Sequence, residues 1–273
     1  MEIKRACISV LQWNILDPDF STKNDFPQID ESVLSWPVRK AKIAKTVKEL
    51  NPDIICMEEV KSETSIPVEG YEKIFLEKKA LSHGLFVCYR QGLFERLDYH
   101  YEQFKTDEEV QSQNFIYLKL KHIPSQSEIN LVVTHLKSKR FFEVRLNSVR
   151  QMLKFLKTRN IKRNMFIVGD FNAEENEESI QMLSQETGLR SIRPGKFTTL
   201  KMNRLNNMTL IKRKIDYIFY DDKSFDLSAE WSLNNEVENI PEGCPSAQCP
   251  SDHLPLFASF ELILPSTEIK PNL

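Results

Sequence analysis

Short apolar runs that stop abruptly at polar residues recur along this chain. The clearest is Met165-Phe-Ile-Val-Gly-Asp-Phe-Asn172, an apolar run closed by a glycine and then by a carboxylate and a carboxamide. Such a run reads as a strand buried on both faces, with the glycine letting the backbone turn. Four more runs end the same way: Val10-Leu-Gln-Trp-Asn14, Ile54-Ile-Cys-Met-Glu-Glu-Val60, Leu131-Val-Val-Thr-His135 and Ile215-Asp-Tyr-Ile-Phe219. A sixth polar cluster, Ser251-Asp252-His253, opens the last apolar run. Polar groups at the end of a buried strand are costly unless something there needs them. The pattern therefore gathers carboxylates, amides and imidazoles where sheet ends can converge.

Between these runs the periodicity predicts the remaining elements. Strands are expected at 8–15, 54–57, 71–76, 84–90, 98–104, 115–120, 130–134, 214–220, 228–233 and 255–262. Trp36, Ile43, Val47 and Leu50 share one face of a helix over 36–50, with Ser35 as its N-cap and Pro37 in its first turn. Phe142, Leu146, Val149, Leu153 and Leu156 predict a second helix over 141–159 whose exposed face is strongly basic. An acidic helix is expected over about 176–187. Strands outnumber helices and are mostly joined by loops, which suggests two sheets packed together with helices outside.

A chain of 273 residues, 41% hydrophobic and 28% charged, could hold one large domain or two small ones. No linker composition or fixed-period repeat divides it, and strand patterns recur along its length, so one domain over residues 1–265 with a tail at 266–273 is expected. Seven glycines are too few for propellers, solenoids or glycine-rich nucleotide loops. The net charge of −2 argues against a globally basic nucleic-acid binder, yet it hides segregation. Residues 137–163 hold ten basic side chains against the single acid Glu143, whereas 172–186 and 221–242 are acidic. Basic stretches beside a carboxylate-rich site suit an anionic substrate near a divalent metal. Five scattered cysteines do not form a disulfide framework, and Cys244 and Cys249 lack the companions of a zinc site. With no apolar run of membrane-spanning length and no visible signal peptide, a cytoplasmic or nuclear setting and no membrane partner are expected.

Several residues have the chemistry for a hydrolytic site. Glu59 ends a buried strand and suits a hard cation such as magnesium, which takes one or two carboxylates and keeps water for substrate phosphate. Its neighbour Glu58 should point to the opposite face. Asp170 and Asn172 lie two apart, so an extended segment would aim both one way; the same residues are turn formers. His135 precedes Lys137 and Lys139, and strand alternation would set all three on one face, which suits a phosphate. Asp252-His253 could meet Asp216 through folding and supply a base of fixed tautomer. No G-x-S-x-G elbow supports a serine hydrolase.

In this order, QWN (12–14), EEV (58–60), THLK (134–137), GDFN (169–172), IDYIF (215–219) and SDHLP (251–255) resemble the motifs of the endonuclease/exonuclease/phosphatase superfamily of magnesium-dependent phosphoesterases. The resemblance implies a four-layer α/β sandwich of two packed, mainly antiparallel or mixed β-sheets flanked by helices, with the site at one edge of both sheets. It implies Glu59 as metal ligand with Asn14 and Asp252 close by, for Mg2+ or alternatively Mn2+. Asp170 would activate or orient the attacking water, and Asn172 would lie beside the phosphate. His253, held by Asp216, would contact the phosphoryl group or act as base, and His135 would stabilise its charge. Glu58 departs from the glutamine more usual in the family.

The start of the 36–50 helix, NPDIICMEEV and SDHLPL resemble the deadenylase-related branch, and THLKSK, GDFNAE and KFTT its nocturnin-like subfamily, in which an arginine stands where this chain has Lys139. True deadenylases place an adenine-holding proline five residues after the THL histidine; here that position is Arg140. The chain is shorter than is typical between Leu76 and Phe86, where Lys78 or Lys79 could contact phosphate, and Asn114 could line the pocket. The resemblance thus implies a monomeric phosphatase acting on a phosphorylated nucleotide, such as the 2′-phosphate of NADP(H). The alternative is a 3′–5′ exoribonuclease acting on the 3′ end of poly(A) RNA. A scaffold that had lost the chemistry is disfavoured, because each mapped position holds a chemically competent residue.

Overall fold

Alternation along the strands decides how the layers stack. In a computed structural model, which describes residues 6–62, 65–78, 81–106, 109–203 and 209–264, two six-stranded sheets pack face to face. The first has the order β13 (Phe225–Trp231), β14 (Leu256–Leu262), β1 (Cys7–Asn14), β2 (Ile54–Val60), β4 (Gly84–Arg90), β3 (Tyr71–Glu77). The second runs β5 (Phe94–Lys105), β6 (Val110–His122), β7 (Ser127–His135), β8 (Met165–Asp170), β12 (Asp216–Tyr220), β9 (Arg190–Ser191). Each sheet contains one parallel pair, β1 with β2 and β7 with β8. A helix makes each of these two crossovers, as parallel pairing requires: α2 (Trp36–Leu50) in the first sheet and α3 (Phe142–Thr158) in the second.

Every second residue of these strands faces the opposite sheet. Ile8, Val10, Ile54 and Cys56 from one side meet Ile129, Leu131, Val133, Phe166 and Val168 from the other in the central core. The intervening residues face outward under helices. Leu11, Trp13, Ile55 and Met57 pack against Ile43 and Val47 of α2. Val132, Met165 and Ile167 pack with Val149, Met152 and Leu156 of α3 and Leu183 of α4 (Glu178–Thr187). Helix, sheet, sheet and helices make the four layers expected.

Some local expectations change. Ser35 holds the N-cap position of α2 but makes no side-chain cap bond. Phe142 does not join the buried stripe of α3: it is exposed, and Arg145 is fully buried instead. The glycine of the VGDFN run serves close approach rather than a turn. At φ +148°, Gly169 lies so near β7 that a Cβ would sit 1.9 Å from the Thr134 carbonyl oxygen. A hairpin of β10 (Thr199–Asn203) and β11 (Thr209–Arg213), and the short helices α1 (Glu31–Leu34) and α5 (Asn234–Val237), carry too little apolar periodicity to be read from sequence. The segment 266–273 and Lys79 lie outside the described residues. Among those described, no helix is long and apolar enough to cross a membrane.

Candidate active site

The alternation that fills the central core also builds the site. Continuing the inward parity of Ile8 and Val10 along β1 gives Gln12 and Asn14; the same parity gives Glu58 on β2, His135 on β7, Asp170 on β8 and Asp216 on β12. Parallel pairing brings β1 and β2 to end together, and β7 and β8 likewise, with His135 opposite Asp170. Their polar ends therefore crowd one edge of the sandwich. Residues 251–253 arrive there because Trp13 Nε1 donates to the His253 carbonyl at 2.9 Å and Leu200 N to the Asp252 carbonyl at 3.1 Å.

Glu58 and Glu59 both reach the site, contrary to the expectation from strand alternation. A register shift after Met57 and a left-handed Glu59, at φ +57°, break the alternation and turn Glu59 back. Its Oε1 accepts from Asn14 Nδ2 at 3.2 Å and its Oε2 from the Asp17 amide at 3.1 Å. Glu58 lies deeper, with Oε2 accepting from Gln12 Nε2 at 2.9 Å. Burial, with Asp216 and Asp170 nearby, raises the Glu58 carboxyl well above the ordinary carboxylate range.

Asp170 stands at the centre. Its Oδ1 accepts from the Asn172 amide at 2.8 Å, and its Oδ2 accepts from Asn14 Nδ2 at 3.1 Å and Asn172 Nδ2 at 3.3 Å. With Asn172 left-handed at φ +52°, this is an Asx turn rather than an extended segment, yet both side chains stay together. Burial and the nearby Asp216 charge push the Asp170 carboxyl up to about 7, against the opposing pull of His253 and the hydrogen bonds.

Two imidazoles face Asp170 Oδ2, His135 Nε2 at 3.5 Å and His253 Nε2 at 3.9 Å. Their partners make them opposites. His253 Nδ1 lies 2.9 Å from Asp216 Oδ2, and Asp216 is fixed by Thr198 Oγ1 at 2.6 Å and Gln12 Nε2 at 3.1 Å. Burial alone would lower His253, but Asp216, Asp170 and Asp252 together raise it to about 10, which makes it an imidazolium at neutral pH. His135 Nδ1 lies 2.8 Å from Lys78 Nζ. Burial, then Lys78, His83 and His253, hold His135 well below the usual histidine value, so it is neutral. A lysine ammonium can only donate, so Nδ1 accepts and Nε2 carries the hydrogen.

The lysines after His135 depart from the expected geometry. The strand ends at His135, so alternation no longer aligns the three cations. Lys137 is half-buried with Nζ 5.4 Å from the Phe141 ring centre, and Lys139 is exposed at φ +69°. What fixes this loop is Arg145, whose Nη1 donates to the carbonyls of Lys137 at 2.8 Å and Lys139 at 2.7 Å. Asn114 lies on β6 beside this group, with Nδ2 donating to the Glu77 carbonyl at 3.4 Å.

Asp252 meets Lys201, which sequence reasoning passed over, at 2.8 Å through Oδ2. Burial would raise the Asp252 carboxyl, but Lys201 and His253 keep it below its usual value. Glu59, Asn14 and Asp252 offer hard oxygen donors beside the like-charged crowd of Glu58, Asp170 and Asp216, a composition that fits a divalent cation. Asp170, Asp216 and His253 also bring donor atoms within 4.8 Å of one another. The oxygens of both groups already accept hydrogen bonds, those of Asp216 from Thr198 and Gln12 and those of Glu59 from Asn14 and the Asp17 amide. Cys244 and Cys249 are buried, with the Cys249 thiol directed at the carbonyls of Ser251 and His253 at 3.2 and 3.4 Å. The sequence does carry a signal for Lys201, since residues 196–214 hold six basic side chains and no acidic one; Arg145 and Gln12 gave none beyond their helix and strand positions.

The model of the endonuclease/exonuclease/phosphatase family matches residues 11–253. Nocturnin of Drosophila melanogaster is 25% identical over 96% of this chain and 47% of its own length. The 3′–5′-exoribonuclease subunit Ccr4 of the CCR4-Not complex of Saccharomyces cerevisiae is 24% identical over 98% of this chain and 40% of its own. The chain thus spans about half or less of the length of these two relatives. Among solved structures, ANGEL2, a 2′,3′-cyclic phosphatase in complex with adenosine-2′,3′-vanadate, superposes with a TM-score of 0.80 at 20% identity, over 96% of this chain and 97% of that one; this likeness speaks for the fold alone.

Proposed function

The chain belongs to the endonuclease/exonuclease/phosphatase family and is a hydrolase acting on phosphoester bonds, and from that premise we propose that it removes a terminal phosphate from a nucleotide, such as the 2′-phosphate of NADP(H), with Mg2+. The observation that carries this reading is Lys78. Its ammonium is only 3% exposed and is held against His135 at the reacting edge. A buried cation is costly without a partner, and a phosphomonoester brings two negative charges where an internal phosphodiester brings one. Lys137 stands close enough to lower Lys78 further, so a dianion would meet two ammonium groups.

In this mechanism Glu59, Asn14 and Asp252 would hold the metal, with Mn2+ as an alternative. When bound, the metal neutralises developing charge on the phosphoryl oxygens and lowers the pKa of a bound water. Asp170, held near 7, accepts the proton of the attacking water as the bond from phosphorus to the nucleotide oxygen breaks, and returns it to that oxygen, which leaves as a hydroxyl. Protonated His253, fixed by Asp216, donates to a phosphoryl oxygen in this reading. His135 donates a second hydrogen bond through Nε2, and Asn172, whose Nδ2 donates to the Leu136 carbonyl at 3.1 Å and to Asp170 Oδ2 at 3.3 Å, lies beside the phosphate and holds Asp170 in place. Lys137 and Lys139 receive the phosphate and its flanking groups, with Asn114 lining the approach. A monomer in a cytoplasmic setting belongs to the same proposal.

The second reading is a 3′–5′ exoribonuclease, favoured by the likeness to Ccr4. The purified protein with Mg2+ should release inorganic phosphate from NADPH or NADP+. Shortening of oligo(A) without such release would overturn the first reading in favour of the second.

A further inference from the structure

A cleft leaves the reacting edge along the rim of the sandwich. It holds about 620 Å³ and lies between the end of β3, with Lys78 and Leu81 beyond it, and the β5–β6 ribbon of the other sheet; Leu76, Lys78, Leu81, Tyr101, Gln103 and Asn114 line it. Lys78 forms its inner end, 2.8 Å from His135. The cleft is therefore continuous with the catalytic edge.

Its outer wall comes from strand pairing. Tyr99, Tyr101 and Gln103 of β5 sit opposite Leu118, Ile116 and Asn114 of β6, so they share the face that is turned toward the first sheet. Leu118 and Ile116 are covered there, but β5 is the edge strand of its sheet, and its tyrosines are not covered. Tyr101 is 52% and Tyr99 37% exposed, with ring centres 6.1 Å apart and planes 37° from parallel, and the Arg96 guanidinium lies 5.9 Å from the Tyr99 ring. Asn114 is 1% exposed, and its Oδ1 is buried without a hydrogen-bond partner. An unpaired buried acceptor is costly unless a ligand supplies the donor.

We propose that this cleft binds the second planar heteroaromatic ring of a two-nucleoside substrate, stacked on Tyr101 with Tyr99 and Arg96 beyond it, while the first nucleoside presents the reacting phosphate at Lys78. Aromatic faces accept any base, and the Arg96 guanidinium against the Tyr99 ring extends the stack with a cation–π contact. Asn114 Oδ1 takes an N–H or O–H of the ligand, and the Gln103 amide faces the same space. The choice of reacting phosphate rests on the function proposed above; the occupancy of the cleft does not.

Equilibrium binding separates the two. Calorimetry with EDTA present, so that no turnover occurs, compares NADP+ (two rings joined by a pyrophosphate), the dinucleotide ApA (two rings joined by a phosphodiester) and 2′-AMP (one ring). At least one two-ring ligand should bind about tenfold or more tightly than 2′-AMP, the effect of one base–aromatic stack. Tyr101→Ala should abolish the difference and Tyr101→Phe should keep it, both with unchanged circular dichroism. Preference for NADP+ points to pyrophosphate-linked substrates and preference for ApA to an RNA end; either supports the cleft. Equal binding of all three ligands, no binding of any, or a preference that survives Tyr101→Ala would overturn it. Failure to hydrolyse NADPH in the separate assay would overturn only the function.

Discussion

Lys78 Nζ lies 2.8 Å from His135 Nδ1, and this contact fixes which nitrogen of His135 faces the reacting edge. Burial pulls the Lys78 ammonium down to about 8, against the carboxylates of Glu59, Asp170 and Glu58. Because the folded-state value lies below the usual 10.5, Lys78 is charged below about pH 8 and loses its proton as pH rises through that value. Above it the ammonium no longer attracts a phosphate or imposes the Nε2–H tautomer. The kcat/KM of the wild type should therefore fall above about pH 8, whereas Lys78→Arg, which stays charged, should show no such limb. Lys78→Met should lose roughly 10²-fold in kcat, the scale of removing one oxyanion donor. An alkaline limb identical in the arginine variant would assign it to another group.

Arg145 and Glu177 form a brace under the neighbouring loop. Arg145 Nε and Nη2 reach the two Glu177 oxygens at 2.7 and 2.6 Å, while Nη1 holds the Lys137 and Lys139 carbonyls. Removing one partner of a buried pair leaves the other charge uncompensated, at about 3 kcal/mol. Arg145→Met should lower unfolding stability by that order in urea and raise KM for a phosphorylated nucleotide more than it changes kcat, since the loop loses its position while the reacting edge remains. A lower kcat at unchanged KM would place Arg145 in the chemistry instead.

These two contacts also mark where the sequence stopped being readable. Inward parity was legible for Asn14, His135, Asp170 and Asp216, which follow from the period of two once each apolar run is taken as a strand with a core face. Glu58 follows the same parity although it was expected on the opposite face: Glu59, expected in the site, reaches it only through a bulge and a left-handed residue, and nothing in Met-Glu-Glu-Val requires either. Arg145 sits in a run of basic residues that reads as a solvated helix face; the carbonyls of a loop six residues earlier and the Glu177 carboxylate explain its burial. Lys201 depends on a hairpin with little apolar alternation. Tyr99 and Tyr101 alternate like any core strand, and their place on the edge strand β5 leaves them uncovered.

Gly169 tests the seam between β7 and β8. An alanine methyl there would lie 1.9 Å from the Thr134 carbonyl oxygen, at a φ of +148° that side-chain-bearing residues rarely adopt. The strands would have to separate beside His135 and Asp170. Gly169→Ala should therefore cost about 3 kcal/mol or more, through strain at a special backbone position. Denaturant unfolding would measure it, and a change of less than about 1 kcal/mol would mean the seam relaxes at little cost.

Crowded carboxylates predict how the fold responds to a cation. Asp170 held up at about 7 and Glu58 well above its usual range record the cost of gathering acids in a buried place. A divalent cation that binds only the folded state at 100 times its Kd adds about 2.7 kcal/mol. For a chain of this size, that corresponds to a rise in Tm of several degrees, at about 2–4 °C per kcal/mol. Mg2+ should raise the Tm of the wild type in this way. Glu59→Gln and Asp252→Asn should each remove most of the rise. Lys201, whose Nζ lies 2.8 Å from Asp252 Oδ2, already competes for that carboxylate. Lys201→Met should therefore enlarge the rise and lower the Mg2+ concentration that gives half of it. A rise that persists in Glu59→Gln and is lost only in Asp216→Asn would move the cation to the His253 side.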